Sequence, residues 1–381
     1  MVNTKIHIKG DRTIWIVVII LSLLSILAVY TSTGTLAYAK QKGDTEHYMM
    51  KHMFLVLSGL AIMYVTHLAH YKIFSRLSQI AIIIAIPLLG ITLGSGEINN
   101  ASRWITLPII NASFQTSDLA KLALVTYIAR VLSRKQDQIK EFKGAFLPLL
   151  IPVIIVCGLI LPANFSTAAL LFLTCLILMF IGQVKVKYIL ALVATGIISL
   201  SLFILVAYSL DFPGRLSTWK ARVENFVSDD PTVNYQAEQS KIAIACGGVI
   251  GLGIGHSEQR NFLPHPYSDF IFAIILEEGG LVTGGFVMLL YLILFLRVVR
   301  MVKYSPQNFA TFLAVGCCIL LIFQAFINMA VAVDLFPVTG QPLPLVSMGG
   351  TSIWFTSLSL GIILSVSKYC TKDQIESQHA A

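Results

Sequence analysis

Phe262-Leu-Pro-His-Pro-Tyr-Ser-Asp-Phe-Ile-Phe-Ala273 is where a polar loop turns into a long apolar run, with one carboxylate, Asp269, at the boundary. A charge beside lipid is costly to keep, so its presence there points to chemistry rather than to packing.

Working outward, the whole chain has the character of that apolar run. Of its 381 residues, 56% are hydrophobic and only 12% charged, with a mean hydropathy of +0.80. A soluble domain of this size needs far more polar surface, so the composition is that of a polytopic membrane protein. The formal charge of +8 is accounted for by basic residues gathered at cytoplasmic membrane edges. It does not call for nucleic acid as a partner.

A bilayer core is crossed by about 20 apolar residues of helix. That length gives about ten spans, centred near residues 23, 60, 86, 125, 154, 174, 198, 282, 320 and 359. The fold class expected is therefore all-α and polytopic. Segments 1–13, 69–77, 133–145, 182–188, 297–308 and 368–381 hold 16 Lys and Arg, whereas 33–52, 94–117, 162–167 and 332–350 hold 4. The positive-inside rule then puts both termini in the cytoplasm, in agreement with an even number of spans. The organisation expected is a cytoplasmic tail (1–13), a transmembrane domain (14–367) and a second cytoplasmic tail (368–381). The first run, Trp15 to Ser32, is followed by Ala37-Tyr38-Ala39, but is longer than a signal peptide's apolar core and is expected to stay as a span.

Between the seventh and eighth spans lies an outward segment, 210–267, too long for a simple connector. It mixes charges with Trp219 and Phe226, so part of it is expected to be helical and folded over the bundle. The six cysteines form no CxxC pair, and they are expected to act as small apolar side chains without disulfides or a structural metal.

Several motifs interrupt the apolar pattern. Gly247, Gly251 and Gly255 recur every four residues. That spacing suits close helix packing, or alternatively a glycine-rich turn whose N–H groups meet phosphate. Thr339 to Ser352 contains Pro342, Pro344 and the pair Gly349-Gly350, so it cannot be regular helix. Irregular backbone at membrane depth survives only when buried in protein or lining a wet cavity, and a cavity wall is expected here. Asp118 and Lys121 stand at i and i+3 inside the fourth span, where they can pair. Arg103, beside Trp104, is either an interfacial anchor or a guanidinium aimed at phosphate or at Asp118. Asp269 and Glu277 are eight residues apart on one predicted helix, about 12 Å, too far to act as a pair on one bond.

Together these residues resemble the SEDS family (shape, elongation, division, sporulation), to which RodA, FtsW and SpoVE belong. The resemblance runs through Arg103-Trp104-Ile105, Gln115 to Lys121, Ala163 to Ala168, Gln236 to Gly248, Leu263-Pro264 to Ala273, Glu277-Glu278 and Pro342 to Ser352. Departures include Asp118 for the family's glutamate and Asn164 where the family usually carries an acid. The spacing from Gly253-Ile-Gly-His-Ser257 to Leu263-Pro264 is more like the division branch, FtsW, than the elongation branch, RodA.

The resemblance implies a peptidoglycan glycosyltransferase that joins lipid II molecules with inversion to a β-1,4 bond, acting at the septum of a bacterial inner membrane. The family's essential aspartate falls on Asp269. Arg103, Asp118, Lys121, Gln239, Ser240, Lys241, Pro264, Ser347, Gly349, Gly350 and Thr351 are then the expected substrate-binding set, with Lys241 and Arg103 facing the pyrophosphate. Mg²⁺ or Mn²⁺ could share that task, although no dedicated ligand cluster is visible. The implied partners are lipid II, a class B penicillin-binding transpeptidase and other division proteins. A lipid II flippase, or the same polymerase in cell elongation, are the rival readings.

Overall fold

A computed structural model describes residues 10–34, 36, 45–94, 104–107, 112–209, 234–305 and 307–370. Among these lie α1 (Arg12–Ser32), α2 (Thr45–Leu68), α3 (Lys72–Gly94), β1 (Trp104–Leu107), β2 (Ala112–Gln115), α4 (Thr116–Arg134), α5 (Leu147–Ile160), α6 (Phe165–Ile181), α7 (Val186–Ser209), α8 (Tyr235–Gly247), α9 (Ile271–Val302), α10 (Asn308–Ala332) and α11 (Thr351–Ser367). Every expected span centre falls inside a helix, and α8 is an additional helix within the long 210–267 segment. The antiparallel β1–β2 hairpin, which pairs Trp104 with Gln115, was not anticipated.

Six helices, one of them α5 with the turn before it (Phe142–Ile160), are long and apolar enough to cross a membrane, and Phe165–Ile181, Val186–Leu202 and Thr351–Ser367 are shorter apolar stretches of helix among the described residues. The remaining span, α4, is the most polar, with Asp118, Lys121, Arg130 and Arg134 in its sequence. Its environment explains this. Almost all of α4 is buried, packed against α3, α5, α6, α10 and α11, so it meets protein rather than lipid. A helix shielded by neighbours does not have to be apolar to sit in a bilayer.

The spans alternate in direction. At one end Asp11 caps α1 by accepting from the Thr13 N–H (2.9 Å) and pairs with Arg297 (2.5 Å), while Ser365 donates to the Ala69 carbonyl (2.6 Å). At the opposite end Arg260 donates to the Thr31 carbonyl (2.9 Å) and Ser240 to the Ala332 carbonyl (2.6 Å). Among the described residues, Asp11, Ala69, Arg297 and Ser365 thus share one end of the bundle, and Thr31, Ser240, Arg260 and Ala332 the other. Five of the six cysteines are buried and all are free thiols.

α9 is broken where the sequence reads as one uninterrupted span. Gly280 takes φ 68°, ψ −176°, and the carbonyls before it leave the helical ladder. Glu277 and Glu278 instead accept from the Leu252 and Gly253 N–H groups (3.0 and 2.9 Å). Leu281 and Val282 donate to the Gly248 and Val249 carbonyls (3.0 and 3.2 Å). The polar groups freed by the break are therefore paired by an incoming loop, as burial requires.

Two of the three regularly spaced glycines, Gly247 and Gly251, serve close backbone packing, whereas nothing lies within 4 Å of a methyl group at Gly255. A methyl group at Gly247 would overlap the Leu276 carbonyl, and one at Gly251 the Glu278 carbonyl, so only glycine lets the two backbones meet. Gly251 also has φ +91°. Gly251→Ala is expected to cost about 1–3 kcal/mol by overpacking, before any backbone strain is added. A lowered thermal midpoint of the detergent-solubilised protein checks it.

Candidate active site

Asp269 sits in the turn two residues before α9, not on the helix as the sequence suggested. Phe270, next to it, is buried and begins the core, whereas Asp269 itself is half-buried. Its Oδ1 accepts from the Ser268 hydroxyl (3.0 Å), and among the described residues no Lys, Arg or His lies within ion-pairing distance. Among the described residues, the carboxylate is not held in a salt bridge.

Its backbone is fixed from three sides. The Tyr267 carbonyl accepts from the Met348 N–H (2.9 Å), the Ser268 carbonyl from Ser347 Oγ (2.6 Å), and the Asp269 carbonyl from Asn328 Nδ2 (2.9 Å). Tyr267 packs close by. Burial, then Tyr48 and the Asp269 carboxylate, push its hydroxyl above the usual phenol range.

The strap that supplies Ser347 and Met348 runs irregularly from 337 to 350, as the prolines require. Its carbonyls are met one by one by side chains of three helices. Asn328 donates to Gln341 (2.8 Å), Gln324 to Pro342 (2.9 Å), Tyr291 to Pro344 and Ser25 to Val346 (2.8 Å). Ser347 Oγ also accepts from the Leu343 N–H (2.7 Å), and Gln341 donates to Thr167 on α6. Asn164, neutral where the family is acidic, caps α6 by accepting from the Thr167 N–H (3.4 Å).

A second loop reaches the site from α8. Glu277, fully buried, accepts from Ser257 Oγ and from the N–H groups of Glu258 and Gln259 (3.0 and 3.2 Å). The loop then passes buried Leu263 and half-buried Pro264 to His265, whose ring meets the Tyr267 hydroxyl (3.2 Å). On α8, Lys241 is exposed and paired with Glu238 and with Asp334 (3.2 Å). Hydrogen bonding to Glu238, with a further bond to Asp334, holds its ammonium above the usual lysine range. Gln239 is half-buried beside it, and Ser240 is fully buried as a tie to α10.

Other expected site residues are structural in their contacts. Gly350 takes φ +54° to start α11, next to half-buried Gly349, and Thr351 Oγ1 accepts from the Gln115 N–H (3.3 Å), holding the hairpin. Asp118 and Lys121 form a buried ion pair (2.7 Å), and Lys121 reaches Gln324 Oε1 (3.4 Å). With Gln324, Ser352, Thr356 and Ser359 they line a cavity of about 20 Å³, where one water needs roughly 10–15 Å³. That is room for a water molecule, and in this structure the pair ties α4 to α10 through Gln324. Arg103 lies outside the described residues.

Sequence reading missed Gln324 and Gln341, which support the strap, and Asn328, which also holds the Asp269 peptide. The signal was present: Gln324 and Asn328 are polar, four apart, and set in the otherwise apolar run of α10. Two such residues share one helix face, and polar groups within a span turn inward.

Residues 11–372 match the family model for FtsW, RodA and SpoVE, described as "Cell cycle protein". The chain belongs to the SEDS family. It is 31% identical to the "Probable peptidoglycan glycosyltransferase FtsW" of Geobacter sulfurreducens, over 96% of this chain and 97% of that one. It is 32% identical to the "Stage V sporulation protein E" of Bacillus subtilis, over 95% and 98%. The fold matches Thermus thermophilus RodA with a TM-score of 0.68 at 22% identity, over 96% of this chain and 98% of that chain. It also matches a chain from a structure described as the coordination of polymerization and crosslinking by a peptidoglycan synthase complex, with a TM-score of 0.72 at 21% identity, over 95% and 99%. The SEDS bundle is thus the frame that holds Asp269.

Lys121→Met should cost about 3–5 kcal/mol by leaving Asp118 as a lone buried charge, and Asp118→Asn with Lys121→Met should recover most of that. Thermal unfolding of the wild type and both variants checks the order.

Proposed function

We propose that this chain is a peptidoglycan glycosyltransferase that polymerises lipid II, with Asp269 as the general base. The observation that carries this reading is the contrast between a rigidly held Asp269 backbone and a half-buried carboxylate with no cation partner among the described residues. A carboxylate neutralised by Lys or Arg is a weak base, whereas one left open can accept a proton from a hydroxyl brought to it. The enzyme names of the full-length relatives support the same class of reaction.

In the reaction, the acceptor's sugar hydroxyl loses its proton to Asp269 as its oxygen attacks the donor's anomeric carbon. The bond from that carbon to the undecaprenyl pyrophosphate breaks, and the electron pair leaves with the pyrophosphate. Attack opposite the leaving group inverts the α-linked carbon to a β-1,4 bond. General-base assistance contributes about 10²–10⁴ in rate, so the orientation of the two lipid-linked sugars has to contribute much of the remainder.

The departing pyrophosphate needs positive charge. Lys241 is exposed enough to provide it once its pairing with Glu238 and Asp334 is exchanged for phosphate oxygens, and Arg103 completes the proposal from the segment before β1. Mg²⁺ or Mn²⁺ could share that task at the phosphate oxygens; among the described residues no three His, Cys, Asp or Glu side chains gather as a ligand set.

The charge asymmetry of the loops supports cytoplasmic termini and puts Asp269 at the outer face of the bacterial inner membrane. Synthesis at the septum, with a class B penicillin-binding transpeptidase and other division proteins as partners, fits the division-type spacing of Gly253 to Pro264. Concentration of the tagged protein at midcell checks the septal assignment, and an even distribution along the side wall would transfer the chain to elongation.

Purified protein given lipid II in detergent should form glycan polymer, a reaction with no counterpart in lipid flipping. Asp269→Asn should lower turnover at least about 100-fold while leaving the melting profile unchanged. Normal polymer from this variant would remove the base assignment.

A further inference from the structure

α10 carries a residue that neither charge nor motif spacing singles out. Asn328 is 1% exposed, and its amide nitrogen bridges two carbonyls, those of Asp269 (2.9 Å) and Gln341 (2.8 Å). Because both partners are acceptors, the group between them has to be the NH₂, which fixes how the side chain is turned. Its Oδ1 is buried and makes no hydrogen bond in the structure. A buried amide left half-satisfied is a stability cost, so its donor end is the reason for having asparagine there.

The two carbonyls belong to segments that have no regular structure of their own. One is the turn before α9 that carries Asp269, and the other is the proline-containing strap after α10. Asn328 clips both to a straight, buried helix. Its neighbour one turn earlier, Gln324, meets only the strap, at Pro342 (2.9 Å), and the Lys121 ammonium (3.4 Å). Ser347 ties strap to turn at Ser268, so it joins these two irregular segments to each other but not to the bundle. Of these three side chains, only Asn328 joins the peptide of Asp269 itself to a spanning helix.

We infer that Asn328 is a positioning residue for the proposed glycosyl transfer, setting the height and direction of the Asp269 carboxylate without touching substrate. This rests on the base assignment above and adds to it. Its loss would let the Asp269 turn move while leaving the donor and acceptor contacts in place. Turnover would fall and the half-saturating lipid II concentration would stay the same.

The test compares purified wild type, Asn328→Leu, Gln324→Leu and Asp269→Asn with lipid II in detergent. Leucine matches the branched shape of asparagine and is one non-hydrogen atom shorter than glutamine, so both variants replace an amide by an apolar side chain of similar size. Asn328→Leu should lower kcat about 10- to 100-fold, the scale of a displacement near 1 Å, with KM unchanged. Gln324→Leu should lower the melting temperature at least as much while keeping most of kcat. Asn328→Ser, which keeps one donor, should lie between wild type and Asn328→Leu, and provides the comparison should the leucine variant fail to fold.

Equal loss of kcat in the Asn328 and Gln324 variants, in step with their melting temperatures, would reduce Asn328 to a general structural part and overturn the inference. Wild-type kcat in Asn328→Leu, with Asp269→Asn inactive, would overturn it and leave the base assignment standing. Full activity in Asp269→Asn would overturn both.

Discussion

The constraint on which this structure depends is that a backbone carbonyl inside a membrane protein has to find a donor. Water is not there to supply one, and each unsatisfied group costs several kcal/mol. Helices meet the demand internally, but the strap from 337 to 350 cannot, because Pro342 and Pro344 prevent the ladder. Asn328, Gln324, Tyr291 and Ser25 are the answer, each donating to a different strap carbonyl. These polar side chains, expensive in an apolar span, are retained because their partners would otherwise be more expensive still.

The break in α9 obeys the same rule by other means. There the donors and acceptors released around Gly280 are backbone groups, and the loop from Gly248 to Gly253 meets them with its own backbone. Side chains would be in the way, which is why glycines stand at the contacts. Glu277, buried just before the break, then accepts three bonds from residues 257–259 and holds the loop against the helix. Strap and loop converge on the turn that carries Asp269. The site is thus built where two irregular segments, each fully bonded to the bundle, meet.

The sequence disclosed the bundle more readily than the site's supports. Span length and loop charge are properties of local composition, so the spanning helices, and the presence of some helix in the 210–267 segment, could be read directly. Asp269 could be singled out because a carboxylate at an apolar boundary is anomalous on its own. The β1–β2 hairpin and the α9 break could not, because both depend on pairing between separated segments. Gln324 and Asn328 were hidden for a related reason. Their polarity was visible, but its purpose lies in carbonyls of a strap 13 to 18 residues further along the chain. The i, i+3 spacing of Asp118 and Lys121 did indicate their pairing, whereas the contact of Lys121 with Gln324, 203 residues further along, left no local trace.

The bundle therefore contains carboxylates in contrasting roles, and environment alone separates them. Asp118 is buried against Lys121, 2.7 Å away, so its charge is cancelled where it stands. Glu277 is more deeply buried and its charge is spread over a hydroxyl and two N–H groups, which makes it an anchor. Asp269 is half-buried with one hydroxyl as its side-chain partner, and the rigidity around it comes from its peptide rather than its carboxylate. Holding the backbone while leaving the carboxylate only a neutral hydroxyl as partner suits a proton acceptor, because a cation fixed on the carboxylate would compete with the proton it has to receive. Fixing it through Asn328, Ser347 and Met348 avoids that conflict.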